Sequence, residues 1–299
     1  MESAEGSAAV CAEGVTVLVP SFNEENGIGQ VVEGVRRALV EEAGYGAERV
    51  EVLVVDDGST DATAVRAVEA GATVVRHPSN LGYGAAIKTG LRKARHETIL
   101  LMDGDGTYPA EAAPRLLQAL ERCDMAVGSR TGAKVQIPME RRPAKWLLNR
   151  FAEYLAARRI PDLNSGMRAF RRSDAMRFLG LYPSGFSFST TITLAYLSSD
   201  LVVEYVPIDY HVRVGRSKLR PVRDTGRLFL TVVRCTLFFN PLRVCVPLAA
   251  VLMAAAAFVL AVPRDAHGNV FDGTVSILTV CAIQVVLVGL LADLMARSR

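Results

Sequence analysis

Asp103 and Asp105 stand one residue apart at the end of the apolar run Thr98-Ile99-Leu100-Leu101-Met102. Two carboxylates at a strand tip form a hard-oxygen donor pair. Such a pair suits Mg²⁺ or Mn²⁺, which also take phosphate oxygens as ligands. An ordinary Asp/Gly turn would look the same locally, so the company the pair keeps decides its meaning. Asp56-Asp57 close a second apolar run, and two adjacent acids exceed what helix capping requires. One of the two is expected to hydrogen-bond a nucleobase or ribose, whereas Asp61, before Ala62, reads as a cap. Cations suited to phosphate lie at Arg130, Arg141, Arg142 and Arg168, and again at Arg213, Arg216 and Lys218. Arginine's planar fork matches phosphate oxygens, and lysine acts as a point charge.

The elements that must position these groups follow from hydrophobic periodicity. Val15–Val19, Val50–Val55 and Ile99–Met102 are short, apolar, mostly β-branched runs, and Thr73-Val74-Val75 is a further short strand candidate. Helical patterns lie between them at Ile28–Glu42, Ala62–Ala70 and Ala85–Ala94. Strands alternating with helices predict an α/β domain with parallel pairing. In such sheets ligands bind beyond the carboxyl ends of the strands. The polar segments Pro20–Asn26, Asp56–Asp61 and Asp103–Pro109 all follow strands. Asn80–Lys88 is a Gly-rich turn into a helix. It lacks the third glycine of a dinucleotide fingerprint and follows the second βα unit, which argues against a dehydrogenase. Its glycines are read as letting backbone approach a bound donor.

The chain has 299 residues and a net charge of +3, with half its residues hydrophobic but unevenly spread. Val244–Val262 and Val275–Ala292 are uncharged runs of 19 and 18 residues, each near the length that crosses a bilayer as a helix. Between His211 and Arg243 eight basic residues face the single acid Asp224, while the loop Pro263–Thr274 carries Arg264 against two acids. This bias predicts a multi-pass inner-membrane protein with a cytoplasmic N-terminal domain and C-terminus. Met1–Gly14 has neither a basic nor a long apolar stretch and does not read as a signal peptide. Five cysteines without metal-like spacing point to a reduced setting. Arg141–Arg159 reads as an amphipathic helix with Leu147, Phe151, Tyr154 and Leu155 on one face, opposite Arg150 and Glu153. Arg227–Asn240 has a similar pattern.

Val19–Glu25, Val54–Asp61, Asn80–Gly90 and the Asp103/Asp105 pair, in this order, resemble family 2 glycosyltransferases. The resemblance implies the GT-A fold, a Rossmann-like domain that binds nucleotide sugars. Asn164-Ser165-Gly166-Met167-Arg168 and Arg213-x-Gly215-x-Ser217-Lys218, followed by two apolar helices, are similar to the polyprenyl-phosphate glycosyltransferases, among them dolichyl-phosphate mannose synthases. The likeness implies donor-nucleotide contacts from Pro20, Phe22, Glu24, Asp56, Asp57, Gly82, Lys88, Asp103 and Gly104. It implies metal ligation by Asp103 and Asp105, with Asp105, Arg130 and Arg168 in catalytic roles. Acceptor phosphate would meet Arg141, Arg142, Ser165, Arg213, Ser217 and Lys218. Thr107 departs from the mannose synthases, which carry Gln there.

No Asp or Glu occurs from Phe178 to Ser199, where many relatives place a base. A hydroxyl acceptor needs deprotonation, but a lipid monophosphate is already ionised, its second pKa being about 6. The expected reaction is therefore inverting, metal-dependent transfer from a nucleoside diphosphate sugar (GDP-mannose or UDP-hexose) to a polyprenyl phosphate, dolichyl or undecaprenyl. The alternatives are a membrane glycosyltransferase using a sugar or diacylglycerol hydroxyl, and a catalytically idle nucleotide-binding scaffold. The expected partners are donor, lipid and bilayer, with no nucleic acid, and any homo-oligomer would form through the membrane helices. The expected layout is a flexible N-terminus at 1–14, a GT-A domain at 15–226 and an interfacial helix at 227–243. A transmembrane hairpin at 244–299 follows, with spans 244–262 and 275–295.

Overall fold

The apolar runs become strands buried on both faces, as expected when helices cover a parallel sheet. A computed structural model describes residues 14–131, 150–154, 156–185, 187–211, 221–261 and 269–297. Seven strands form one sheet in the order β3-β2-β1-β4-β6-β5-β7. These are β1 (Val15–Ser21), β2 (Val50–Asp56), β3 (Thr73–Arg76), β4 (Thr98–Leu101), β5 (Met125–Ser129), β6 (Arg168–Arg171) and β7 (Val203–Pro207). β1 pairs in parallel with β2 (Ser21 opposite Asp56) and with β4 (Leu18 opposite Leu101). The first four strands match the sequence expectation to within two residues at each end. The sheet is mixed rather than parallel throughout, because β6 runs antiparallel to both β4 and β5. β6 begins and ends in arginine, so no apolar run marks it.

Alternate residues of the strands face two cores. On one side Val15, Val17 and Val19 meet Ile28, Val32 and Val35 of α1 (Ile28–Arg36) and Leu116 and Leu117 of α4 (Ala113–Ala119). α1 continues through a π-helical turn over Arg37–Glu42, and α2 (Thr63–Glu69) adds Ala67 to this core. On the other side Leu18, Leu53 and Ile99 meet Ile87 and Leu91 of α3 (Tyr83–Lys93) and Phe188 and Ile192 of α6 (Phe188–Ser198). α5 (Arg172–Arg177) contributes Ala175 to the same core. All residues of α6 from Phe188 to Leu197 are buried. Two of its hydroxyls turn back on the helix, Thr191 to Ser187 O at 2.9 Å and Thr193 to Ser189 O at 2.8 Å, while Thr190 donates to Asn164 Oδ1 at 2.6 Å.

A third cluster corrects the amphipathic reading of Arg141–Arg159, of which residues 150–154 and 156 are described as helical. Ala152 and Ala156, not Tyr154, make its buried face, packing with Leu194, Leu197, Val232 and Cys235. Alanine admits close helix approach, which a tyrosine ring would prevent, and Tyr154 is left exposed. Phe151 stacks on Phe229 at 4.9 Å between ring centroids. Glu153 is drawn inward, accepting the Ile160 amide at 3.1 Å.

α7 (Pro221–Phe239) leads into α8 (Leu242–Ala261) and α9 (Asn269–Arg297). α8 and the Gly289 turn of α9 meet so closely that a Cβ at Gly289 would lie 2.7 Å from that of Cys245. The outer faces of both helices are apolar and uncovered: Phe258 is 72 % exposed. Leu242–Ala261 and Gly273–Ala296 are long and apolar enough to cross a membrane.

Ile87 carries α3 onto the sheet with no exposed surface. Ile87→Ala should lower unfolding stability by about 2–5 kcal/mol, read as a reduced thermal midpoint of the detergent-purified protein.

Candidate functional site

The loops that leave β1 and β2 fasten to each other. Asn23 takes a left-handed backbone (φ 51°), which Asn tolerates better than most residues. Its side-chain oxygen then accepts the Thr60 amide at 2.9 Å, while its own amide donates to Ser59 Oγ at 3.0 Å. The Glu24 amide reaches Thr63 Oγ1 at 2.8 Å, and Glu25 accepts the Ala62 amide at 3.1 Å. Asp61 accepts the amides of Thr63 and Glu25, at 3.0 and 3.3 Å; it stands one residue ahead of the cap position expected of it, which Ala62 takes. Pro20 is buried at the end of β1, and Phe22 and Glu24 are half-buried along the site's edge. Ser21 Oγ is buried beside Gly104 and has no hydrogen-bond partner among the described residues.

The two adjacent acids separate by role. Asp57 Oδ1 accepts from His77 Nδ1 at 2.7 Å and the Leu81 amide at 2.9 Å, and Oδ2 accepts the Gly82 amide at 2.8 Å. His77 Nε2 in turn lies 2.9 Å from Thr89 Oγ1. Asp57 thus joins β2, the exit of β3 and the start of α3, and its carboxylate is spent on the scaffold. Asp56 accepts the Ser59 amide through Oδ1 at 2.9 Å. Its Oδ2 faces Arg76 Nε at 3.1 Å as an ion pair without hydrogen-bond alignment. The glycines of Asn80–Lys88 serve a different approach from the one expected. A Cβ on Gly82 (φ 103°) would collide with Ser184 O, and one on Gly84 with Pro183 O. What comes close is the protein's own 183–185 backbone. Lys88 Nζ donates to Tyr182 O at 3.1 Å, holding the same segment.

Past β4, Tyr83 Oη donates to Asp103 Oδ1 at 2.8 Å. Burial, and then the charge of Asp103, push the Tyr83 phenol well above its ordinary pKa, so it remains a donor. Thr107 anchors Asp105. Its amide and hydroxyl both donate to Asp105 Oδ1, at 3.1 and 2.6 Å. Gly166 closes the floor: a Cβ there would run into the Asp103 carboxylate. Its amide donates to Tyr108 Oη at 2.6 Å. Burial raises the Tyr108 pKa too, against the pull of Arg130. Two anchored carboxylates over a glycine cradle fit a small hard cation that completes its shell with water and phosphate. Among the described residues no three His, Cys, Asp or Glu side chains form a closed metal cage.

The arginines fall into different places. Arg130 holds Asp162 bidentately, at 2.7 and 2.8 Å, and lies 5.3 Å from the Tyr210 ring centroid. Burial would lower its pKa, but the hydrogen bonds from Asp162 reverse that and raise it. Arg168 is wholly buried behind the site floor. It donates to Ser165 O, to Ser189 O at 3.3 Å and to Thr193 Oγ1 at 3.1 Å, and desolvation lowers its pKa. As placed, it cannot touch a phosphate; it ties the Ser165 turn to α6. Ser165 Oγ is likewise committed, to Gly128 O. Arg141, Arg142, Arg213, Ser217 and Lys218 lie outside the described residues. Sequence reasoning missed Tyr83, Tyr108, His77 and Asp162. Tyr83, inside the Gly-rich turn, and Tyr108, inside Asp103–Pro109, stood in segments already singled out; His77 and Asp162 did not.

A mixed sheet with nucleotide-suited loops at one edge, a paired-acid tip and a glycine cradle defines a GT-A type glycosyltransferase domain. Residues 16–179 match the model of glycosyl transferase family 2, and the chain belongs to that family. It is 33 % identical over 219 residues to the low-salt glycan biosynthesis hexosyltransferase Agl6 of Haloferax volcanii, covering 71 % of this chain. It spans about half (51 %) of that relative's length. The undecaprenyl-phosphate mannosyltransferase of Micrococcus luteus is 29 % identical over 220 residues, 69 % of this chain and 87 % of the relative. Glucosyl-3-phosphoglycerate synthase from Mycobacterium tuberculosis, solved with Mn²⁺, UDP-glucose and phosphoglyceric acid, superposes with a TM-score of 0.59 at 20 % identity. That alignment covers 78 % of this chain and 83 % of the other.

Asp57→Ala would strand several buried donors at once. It is expected to lower stability by about 2–4 kcal/mol in denaturant titration and to loosen residues 80–84 in amide hydrogen exchange.

Proposed function

We propose that the protein is a membrane-bound, inverting glycosyltransferase that moves a sugar from a nucleoside diphosphate sugar to a polyprenyl phosphate. The observation that carries this reading is the acid pair at the tip of β4, roofed by a segment that brings no carboxylate. The 183–185 backbone packs against the Gly82 turn, and the sequence from 178 to 199 holds neither Asp nor Glu. Such a roof suits an acceptor that arrives already ionised. The mannosyltransferase relative, named for undecaprenyl phosphate, supports the same acceptor class.

Asp103 and Asp105 would hold Mg²⁺ or Mn²⁺, which when bound supplies Lewis-acid charge to the leaving diphosphate. A structural neighbour crystallised with Mn²⁺ supports that choice. With Asp57 spent on the scaffold, base and ribose fall to Asp56, Glu24 and the backbone near Pro20, Phe22 and Gly104. Gly82 and Lys88 shape the donor side from behind, through the 182–185 backbone. Arg130, fixed by Asp162, orients phosphate from the β5 side, while Ser165 and Arg168 act by placing their turn. Acceptor phosphate is assigned to Arg141, Arg142, Arg213, Ser217 and Lys218. The layout is a GT-A domain to about residue 226, an interfacial stretch at 227–243 and a hairpin with spans 244–262 and 275–295. The positive flanks lie on the cytoplasmic side.

A panel of radiolabelled GDP- and UDP-sugars offered with undecaprenyl and dolichyl phosphate tests the reading by label in the lipid phase. Transfer to a lipid phosphate is the expected result; transfer only to sugar or diacylglycerol hydroxyls overturns it. Asp105→Ala should cut transfer by about 100-fold or more, the kinetic equivalent of several kcal/mol, with the thermal midpoint little changed. Undiminished turnover in excess chelator would remove the metal from the mechanism. Asp56→Asn, which keeps the shape, should weaken nucleoside diphosphate binding about 10- to 150-fold, measured by calorimetry.

A further inference from the structure

A second cavity lies one helix length from the acid pair. α6 starts at Phe188 beside the site floor and ends at Ser198, about 15 Å away at 1.5 Å per residue. At that far end is an open cavity of about 450 Å³, lined among others by Ala157, Arg158, Ser198, Asp200, Asn240 and Arg243. Its size falls within the range of small-ligand sites.

Three features set its chemistry. Arg158 and Arg243 bring two guanidinium groups to one space, and at its open rim Arg158, half-exposed, pairs at 3.7 Å with Asp200, whose side chain is 96 % exposed. The cavity also receives the carboxyl ends of two helical segments, the one described at residues 150–154 and 156 and α6, whose last carbonyls favour a cation. Arg243 Nη1 already reaches one of these carbonyls, that of Tyr154, at 3.4 Å. Finally, both segments end in left-handed residues that are not glycine, Ala157 (φ 51°) and Asp200 (φ 57°). A left-handed residue is a common way for a helix to end, and both of these line the cavity. The cavity therefore offers both signs of charge within one small volume. A simple anion would leave Asp200 and the helix carbonyls opposed to it. A simple cation would face two arginines.

We propose that this cavity binds the headgroup of a membrane phospholipid that carries a phosphate diester and a primary ammonium. Arg158 and Arg243 meet the phosphate, and Asp200 with the neighbouring carbonyls meets the ammonium. The source is lipid rather than solute because Arg243 is the second residue of α8. If α8 crosses the bilayer, that residue stands at its polar edge, where headgroups lie. The inference rests on the membrane reading above and goes beyond it, since the headgroup is neither donor nor acceptor.

The test uses the full chain in nanodiscs of phosphatidylcholine alone, or with phosphatidylethanolamine or phosphatidylglycerol. Native mass spectrometry reads retained lipid, and thermal melting reads protection. Wild type should retain phosphatidylethanolamine preferentially and melt higher in its presence. Arg158→Gln and Arg243→Gln should each weaken retention by about 10-fold, the loss of one charge-assisted contact. Asp200→Asn should abolish the preference over phosphatidylcholine while leaving the fold intact. Arg234→Gln removes an equal charge from an exposed position on α7 and should change nothing. Equal losses in Arg234→Gln would reduce the effect to diffuse surface charge and overturn the proposal. Equal retention of phosphatidylglycerol, or equal protection by free phosphoethanolamine, would overturn it as well. Release of the protein from membranes by alkaline carbonate would instead count against the membrane reading, separately from the cavity.

Discussion

Parallel pairing of β1 with β2 and β4 determines where polar chemistry can stand in this molecule. The three strands are buried on both faces, so a charged side chain is tolerable only at their ends. In register, Ser21 meets Asp56 across one ladder, and β4 ends level with Leu18 on the other. The acids at 56, 57, 103 and 105 therefore share one edge. The reversal at β6 matters as much. Because β6 is antiparallel, its first residue, Arg168, pairs with the last of β4, Leu101. The segment just before β6 thus arrives under the acid pair, placing Gly166 against Asp103. A sixth strand running parallel would have delivered its trailing residues there instead.

Desolvated polar groups behind the site show what holds that edge. Arg168 is fully buried, and among the described residues it bonds to carbonyls, a hydroxyl and a methionine sulfur rather than a carboxylate. A buried charge without a counter-ion is weak support for stability. Its bonds do join the Ser165 turn to α6 across the sheet edge. Asp57 makes a comparable knot on the donor side, gathering one side chain and two amides from two different elements. Both residues work through what they position.

Much of this was legible before any coordinates. The first four strands, their helices and the acid pair follow from β-branched runs that end in Asp, Asn and Gly. β5, β6 and β7 did not announce themselves. Arg168-Ala-Phe-Arg171 alternates polar and apolar over only four residues, too short to distinguish from a loop. Site assignments failed in one consistent way. Asp57, Lys88, Gly82, Ser165 and Arg168 have the chemistry to touch a ligand, and the fold spends that chemistry on backbone groups. A residue type tells what a side chain can bond to, but not which partner packing brings within 3 Å. Tyr154 misled for a related reason. Periodicity placed it on the apolar face, and two alanines won because small residues let helices approach.

The site's protonation pattern fits a reaction driven by placement. A carboxylate serves as general base when burial lifts its pKa toward neutrality. Here burial acts on two phenols of the site. Tyr83 and Tyr108 are pushed up, away from any pH at which they could accept a proton. Tyr83 is fixed as a donor to Asp103, while Tyr108 stays protonated and accepts the Gly166 amide. Asp105 is held by the amide and hydroxyl of Thr107, at 3.1 and 2.6 Å. Tyr83 and Thr107 donate to the acids of the strand tip, and nothing among the described residues here prepares a group to abstract a proton. A donor diphosphate departing against such an edge gains from preorganised charge and orientation. An acceptor already carrying its own negative oxygen asks for nothing more than to be held in line with it.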